Sequence, residues 1–138
     1  MSQTTVTKTA GSTNPTGTVV DRYIRIFDRT AHDPQAVEEL ESIFAQDAVV
    51  QLAEGIEPVA GLPAIMAVYR GFVSQMADSQ HFWTVTELDD GRLECEWVQA
   101  GRSVDGRLVC TGGVEQVTVN ADGQITKLIN RIVPNAGW

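Results

Sequence analysis

Three Asp-Gly pairs divide the second half of the chain into segments of strand length. The pairs are Asp90-Gly91, Asp105-Gly106 and Asp122-Gly123, and the segments that they separate are 81–88, 92–100, 107–119 and 124–133. An Asp-Gly pair between apolar segments is a strong signal for a tight hairpin, because glycine readily adopts the positive φ that such turns require. The sequence therefore predicts an antiparallel meander of four strands from residue 81 onward.

The first half of the chain predicts three helices instead. They begin at Thr18, at Asp33-Pro34 and at Gly61-Leu62-Pro63, and a short strand over 48–53 lies between the second and the third. In the first helix, Val20, Tyr23, Ile24 and Phe27 recur at helical spacing, with arginines on the opposite side. We therefore expect an α+β domain, with three N-terminal helices packed on one face of a curved, mainly antiparallel sheet that encloses a pocket.

Length and composition set the broad class. The chain has 138 residues, is 43% hydrophobic and carries a formal charge of −8. Residues 1–17 are mostly Thr, Ser, Gly and Pro, so we expect a flexible tail followed by one domain over 18–138. The excess of acids argues against a nucleic acid or an anionic membrane as partner. No apolar run has transmembrane length and no secretion signal is visible, so we expect a cytoplasmic protein.

The two cysteines fall on neighbouring predicted strands. A disulfide between Cys95 and Cys110 is geometrically possible, but reduced core cysteines are the commoner case in a chain of cytosolic type, and we favour that interpretation. No C-x-x-C pair or His-rich spacing indicates a metal site. We therefore expect neither metal nor cofactor.

One carboxylate interrupts a strand that is otherwise apolar. If the strand alternates, Glu115 shares a face with Gly113, Val117 and Val119. Either that face is solvated and the valines are exposed, or the acid lines a pocket in which its pKa is raised. The row of valines favours the pocket.

Three segments resemble signatures of the NTF2-like superfamily, whose cone-shaped fold has the same order of helices and strands. They are residues 44–50 (FAQDAVV), 57–61 (EPVAG) and 117–125 (VTVNADGQI), and the resemblance covers residues 18–133. The superfamily includes ketosteroid isomerases, SnoaL-type polyketide cyclases, scytalone dehydratase and limonene epoxide hydrolase. The resemblance implies a pocket for a small hydrophobic molecule and a homodimer. Because unrelated activities share this fold, function has to be argued from the site.

Comparison with the isomerases matches two of three catalytic positions. Tyr23 resembles the tyrosine that donates to the developing enolate, and Glu115 resembles the neutral acid beside it. The position of the isomerase base is occupied by Leu52, which cannot accept a proton. That mechanism is therefore excluded, and Glu54 would replace the base only if the end of the strand were displaced.

Comparison with the dehydratase members suggests a different base. They pair an Asp at the end of the first helix with a His at the start of the meander, and Asp28 and His81 resemble this pair. Asp28 lies one turn after Ile24, at the edge of the apolar stripe. Such an Asp would bind one ring nitrogen of His81 and leave the other free as a base. Trp83 shares strand parity with His81 and would form part of an apolar wall.

The leading hypothesis is a small cofactor-free enzyme that abstracts a proton next to a carbonyl in a hydrophobic cyclic or polyketide-like substrate, as an isomerase, cyclase or dehydratase. Asp28 and His81 would move the proton, and Tyr23 and a protonated Glu115 would stabilise the oxyanion. The expected substrate-binding residues are Phe27, Leu52, Tyr69, Trp83 and Val117. Each polar residue also has a purely structural alternative, as a core tyrosine, a solvated helix-end acid or a packed histidine. One alternative function is a non-catalytic pocket protein that binds or shapes a hydrophobic ligand, as a pericyclic cyclase would. Another is an interaction module that dimerises through the exposed face of the sheet.

Overall fold

A computed structural model describes residues 5–9, as backbone, and residues 17–133. The predicted end of the domain, 134–138 with Trp138, lies outside the described residues. The elements in chain order are β1 (Thr5–Thr9), α1 (Val19–Thr30), a 3-10 helix (Pro34–Ser42), β2 (Phe44–Gln51), β3 (Val59–Ala60), α2 (Leu62–Gln75), β4 (Met76–Glu87), β5 (Leu93–Ser103), β6 (Leu108–Val119) and β7 (Ile125–Ile132). Among the described residues, no helix has the length and apolar character needed to cross a bilayer.

In the part of the chain that the structure describes, seven strands form one sheet in the order β1-β4-β5-β6-β7-β2-β3. The predicted meander is present as β4 to β7, and each of its strand pairs is antiparallel. The glycines of the three Asp-Gly turns have φ values of 86°, 87° and 79°, which a side chain would strain. The turn chemistry of the sequence thus accounts for this half of the fold.

The other half departs from the prediction in three details. The second helix is a 3-10 helix, and a further short strand, β3, lies between β2 and α2. The sheet is mixed, because β2 runs parallel to β7, with Val50 opposite Leu128. Because β2 and β7 are not consecutive in the chain, no hairpin joins them and forces an antiparallel pairing. The α+β architecture is confirmed, and the description of the sheet as mainly antiparallel fits only roughly.

A strand also lies within the segment that was expected to be a flexible tail. Thr5–Thr9 pairs antiparallel with β4, with Thr5 opposite Glu87 and Thr9 opposite Trp83. Its TVTKT sequence is rich in β-branched residues, which favour extended backbone. The pairing supplies hydrogen-bond partners to what would otherwise be an open edge of the meander.

Helix α1 is fixed against the concave face of the sheet at its first turn. Thr18 caps the helix, and Asp21 completes the capping box by accepting a 2.6 Å hydrogen bond from the Thr18 backbone N–H. The other carboxylate oxygen of Asp21 accepts a 2.8 Å bond from Nε1 of Trp83 on β4. Because Asp21 is fully buried, these bonds offset its desolvation and tie the helix to the strand.

Candidate active site

A cavity of about 310 Å³ lies between the two α-helices and the concave face of the sheet. Two groups of polar side chains are central to its lining, which also includes Thr30, Gln75 and Asn130 as well as aromatic and aliphatic side chains. The inner group is Tyr23, Tyr69 and Glu115, all of which are buried. The outer group is Ser79, His81 and Gln99, all of which are partly exposed. At this size, the cavity is at the lower end of the range for sites that bind small organic molecules.

Asp28 and His81 are in direct contact in the outer part of the site. Oδ1 of Asp28 lies 2.7 Å from Nδ1 of the imidazole and 2.9 Å from the backbone N of the same histidine. A carboxylate only accepts hydrogen bonds, so Nδ1 carries a proton, and in the neutral ring Nε2 is the nitrogen with the lone pair. Both side chains are largely shielded, with 12% of His81 and 17% of Asp28 exposed. In this geometry the imidazole can act as a general base and the carboxylate can orient it.

Glu115 lies on β6 between Cys95 of β5 and Asn130 of β7, which are its partners in register. Only 4% of the residue is exposed, and burial raises its pKa to about 8. Oε1 is buried with no hydrogen-bond partner among the described residues. A charged oxygen left in this state would be very costly, whereas the carbonyl oxygen of a neutral acid is tolerated. We therefore assign the proton to Oε2, the oxygen left to face the cavity.

The Tyr23 and Tyr69 hydroxyls lie 2.8 Å apart next to this acid. Burial raises the pKa of both phenols, and a charge on Glu115 would raise both further. Both hydroxyls thus stay protonated, and one proton of the pair remains for another acceptor, because the bond between them uses only one. Phe27 packs against both rings, at centroid distances of 5.0 and 5.2 Å, and against His81 at 6.4 Å. This phenylalanine therefore separates the inner group from the outer group.

The sequence did not identify Trp97 and Asn130 as site residues. Nε1 of Trp97 donates a 2.9 Å hydrogen bond to Oδ1 of Asn130, and Nδ2 of Asn130 donates to the backbone oxygen of Leu52 at 3.0 Å. The Trp97 ring lies across Gly113, where a Cβ would come within 2.9 Å of it. Trp97 shares strand parity with Cys95, but only the register reveals that Gly113 opposite it leaves space for the indole.

The predicted substrate-binding residues divide into two sets. Phe27, Leu52 and Tyr69 line the cavity. Trp83 and Val117 do not, and their placement as cavity walls is corrected, because both are buried core residues packed behind it. Strand parity correctly gave the face on which they lie, but a face of the sheet extends beyond the cavity.

Glu54, the other acid considered as a base, lies away from the site. It is in the turn after β2, with its carboxylate 4.0 Å from Arg131, and it does not line the cavity.

The two cysteines differ in burial. Cys95 is buried, as predicted, whereas Cys110 is exposed, and both are free thiols. The interpretation of Cys110 as a core residue is wrong, because it is an odd number of positions from Glu115 and faces the other side of the sheet. Cys110 pairs in register with Ala100 rather than with Cys95.

Comparison with known proteins identifies the same fold. Residues 17–125 match the family model described as a SnoaL-like domain. An NTF2-like protein of unknown function from Exiguobacterium sp. 255-15 superposes with a TM-score of 0.75 at 28% identity, over 86% of this chain and 100% of the other. SalBIII, described as an epoxide hydrolase/cyclase-like enzyme in pyran ring formation in the polyether salinomycin, superposes with a TM-score of 0.71 at 16% identity, over 83% and 88%. No curated protein matched the chain.

Proposed function

Because the chain belongs to the SnoaL-like domain family of the NTF2-like superfamily, we propose that it is a small enzyme whose own side chains transfer protons within a hydrophobic cyclic or polyketide-like substrate. The observation that carries this proposal is the contact of Asp28 with both the ring and the backbone of His81. A histidine held in this way has one tautomer and one orientation, as a general base requires.

In the first step, Nε2 of His81 removes a proton from the carbon next to the substrate carbonyl. The electron pair of the broken C–H bond forms the C=C bond of an enolate, and the π pair of the carbonyl moves onto its oxygen. The imidazolium that forms is stabilised by the Asp28 carboxylate, which is 2.7 Å from Nδ1. Phe27 and Trp97 pack beside the His81 ring and keep water from its faces.

The developing oxyanion would be held by the inner group. Neutral Glu115 and the free proton of the Tyr23–Tyr69 pair are both donors in a buried setting, where each is worth roughly 3 kcal/mol of barrier. In the second step, the protonated His81 returns its proton. Delivery to a different carbon gives isomerisation, and delivery to a departing hydroxyl gives dehydration.

A second candidate is ring closure guided by the shape of the cavity. The position at which a steroid isomerase has its base carries Leu52, which lines the cavity and adds only apolar surface. A base and a neutral acid at opposite sides of a ligand also suit the attack of a hydroxyl on an electrophilic carbon, and SalBIII is described as acting in pyran ring formation. Discrimination between the candidates depends on whether the protein exchanges protons next to a carbonyl.

The test is deuterium exchange at the α-carbon of a cyclic ketone. We expect the protein to accelerate exchange of the α-protons of α-tetralone in D₂O, as followed by NMR, and His81→Gln to lower that rate by roughly 10²-fold or more. His32→Gln is the matched control, because His32 is exposed and outside the site. Binding of the ketone without any acceleration of exchange would remove the base and leave the shape-guided function.

A further inference from the structure

Two polar side chains of the outer group have hydrogen-bonding capacity that the mechanism leaves unused. Nε2 of Gln99 donates a 2.8 Å hydrogen bond to Oγ of Ser79, and both residues line the cavity. Among the described residues, this is the only bond of either side chain. The Ser79 hydroxyl proton and Oε1 of Gln99 therefore remain as one donor and one acceptor side by side.

The sheet register places this pair beside the proposed base. Gln99 stands directly opposite His81, and Ser79 precedes His81 by two residues on the same face of β4. Trp97 is two residues before Gln99 on β5, and its ring is 5.9 Å from the imidazole. The unused donor and acceptor thus adjoin His81. They lie with it in the outer group, which Phe27 separates from the inner group.

A hydroxyl group is the simplest partner for such a pair, because it accepts from Ser79 and donates to Gln99 at once. An ether oxygen would satisfy only the donor, and a methylene would satisfy neither. A site built to bind a hydroxyl discriminates against ligands that lack one, because its own polar groups then lose their partners.

We propose that Gln99 and Ser79 bind a hydroxyl group of the substrate, and that the substrate is a hydroxylated cyclic ketone with its two oxygens on opposite sides of a flat apolar skeleton. This inference rests on the proposed function, because the inner group has to receive the carbonyl for the hydroxyl to reach the outer pair. Phe27 and Trp97 supply the aromatic surfaces between which such a skeleton packs.

Binding of three related ketones to the wild-type protein tests the inference by calorimetry. They are α-tetralone, its 5-hydroxy derivative and its 5-methoxy derivative, in which the second oxygen lies diagonally across the ring system from the carbonyl. We expect the hydroxy compound to bind about tenfold tighter than the parent, as one additional pair of hydrogen bonds predicts. The methoxy compound should bind less tightly than the hydroxy compound, because its ether oxygen accepts from Ser79 but cannot donate to Gln99.

Variants then assign the preference to the two residues. Gln99→Leu and Ser79→Ala should each reduce the preference for the hydroxy compound, and the double variant should abolish it. Gln80→Leu is the matched control, because Gln80 is exposed on the other face of β4, and it should keep the preference. Thermal unfolding by circular dichroism checks that each variant is folded, and a variant that fails this check is replaced by Gln99→Met or Ser79→Gly.

The outcomes separate this inference from the proposed function. Equal affinity of the wild-type protein for all three ketones overturns the hydroxyl site, while α-proton exchange of the parent ketone still supports the enzyme. A preference that survives in the double variant overturns the assignment to these residues. Failure of all three ketones to bind overturns both proposals.

Discussion

Asp28 contacts His81 at two points, the ring Nδ1 and the backbone N–H, although the residues are 53 positions apart in the chain. The contact joins the last turn of α1 to β4, so the tertiary packing of helix on sheet sets the orientation of the imidazole. Because Asp28 holds both the ring and the backbone of His81, the imidazole loses little rotational freedom when it reaches a productive geometry, which is a condition for efficient proton transfer.

Asp28→Asn is expected to lower the α-exchange rate by roughly 10²- to 10⁴-fold without unfolding the protein. The amide can donate to Nδ1, which moves the ring proton to Nε2 and leaves no lone pair toward the substrate. Exchange rates on the cyclic ketone measure the loss, and ¹⁵N NMR of the His81 ring reports the change of tautomer.

Asp33→Asn is the matched control for this substitution. Asp33 is exposed and its side chain makes no capping bond, so the same chemical change there should leave the exchange rate unaltered. A normal rate in Asp28→Asn, together with an altered tautomer, would show that His81 is not the base.

Glu115 is expected to make stability fall as pH rises. Its pKa is about 8 in the folded protein against an ordinary 4.5, so between these values the folded state keeps a proton that the unfolded state loses. The unfolded state is then increasingly favoured, by up to about 1.4 kcal/mol of unfolding free energy per pH unit, and the decline ends above the folded pKa. Urea denaturation across this window measures the slope.

Glu115→Gln should reduce that slope, because the amide does not titrate. Glu87→Gln is the control, since Glu87 is an exposed acid at the end of β4. A slope unchanged in Glu115→Gln would mean that the carboxyl is ionised in the folded protein, and its role as a donor would then be lost.

Much of the fold followed from local sequence signals. The three Asp-Gly turns defined the meander because a positive φ is a property of one residue and needs no distant partner. The parallel pairing of β2 with β7 was missed because it joins segments about 78 residues apart, and nothing local specifies which strand meets which. The second helix was predicted, but its 3-10 type and the strand β3 were missed for a related reason, since packing against neighbours decides such short elements.

The site was predictable only where a residue's own pattern was unusual. A carboxylate in a row of valines indicated Glu115, and the resemblance supplied Tyr23 and the Asp28–His81 pair. Trp97, Gln99 and Asn130 carried no such signal, because their roles arise from the cross-strand register, which could not be read from the sequence. The homodimer expected from the resemblance stays a prediction.

Removing one hydroxyl of the tyrosine pair at a time is expected to show which tyrosine donates to the oxyanion and which only binds the other tyrosine. Tyr23→Phe and Tyr69→Phe each break the 2.8 Å bond and leave the other hydroxyl without this partner, at a cost of about 1 kcal/mol in unfolding free energy. The variant that removes the donor should also lower kcat on the ketone, by roughly 10²-fold, and the other variant should lower it less.

Urea denaturation and exchange kinetics on both variants provide the measurement. Tyr23→Phe is expected to cause the larger loss of rate, because Tyr23 resembles the enolate donor of the isomerases. Equal stability losses with unchanged kcat in both variants would make the pair purely structural.

Gly113→Ala is expected to move Trp97 and thereby reshape the cavity. The new methyl would lie 2.9 Å from the indole and 2.8 Å from the backbone oxygen of Arg131, and the backbone contact cannot be relieved by a rotamer change. Because that backbone blocks the methyl on one side, the ring on the other side should give way, lose its hydrogen bond to Asn130 and shift relative to His81. The indole N–H of Trp97 in ¹H–¹⁵N spectra should change its chemical shift, and ketone affinity should fall severalfold.

Gly71→Ala on α2, where a methyl meets nothing within 4 Å, is the control and should leave the Trp97 chemical shift and the ketone affinity unchanged. An unmoved Trp97 resonance with normal affinity would show that the strands separate to admit the methyl, and that Gly113 does not set the position of the ring.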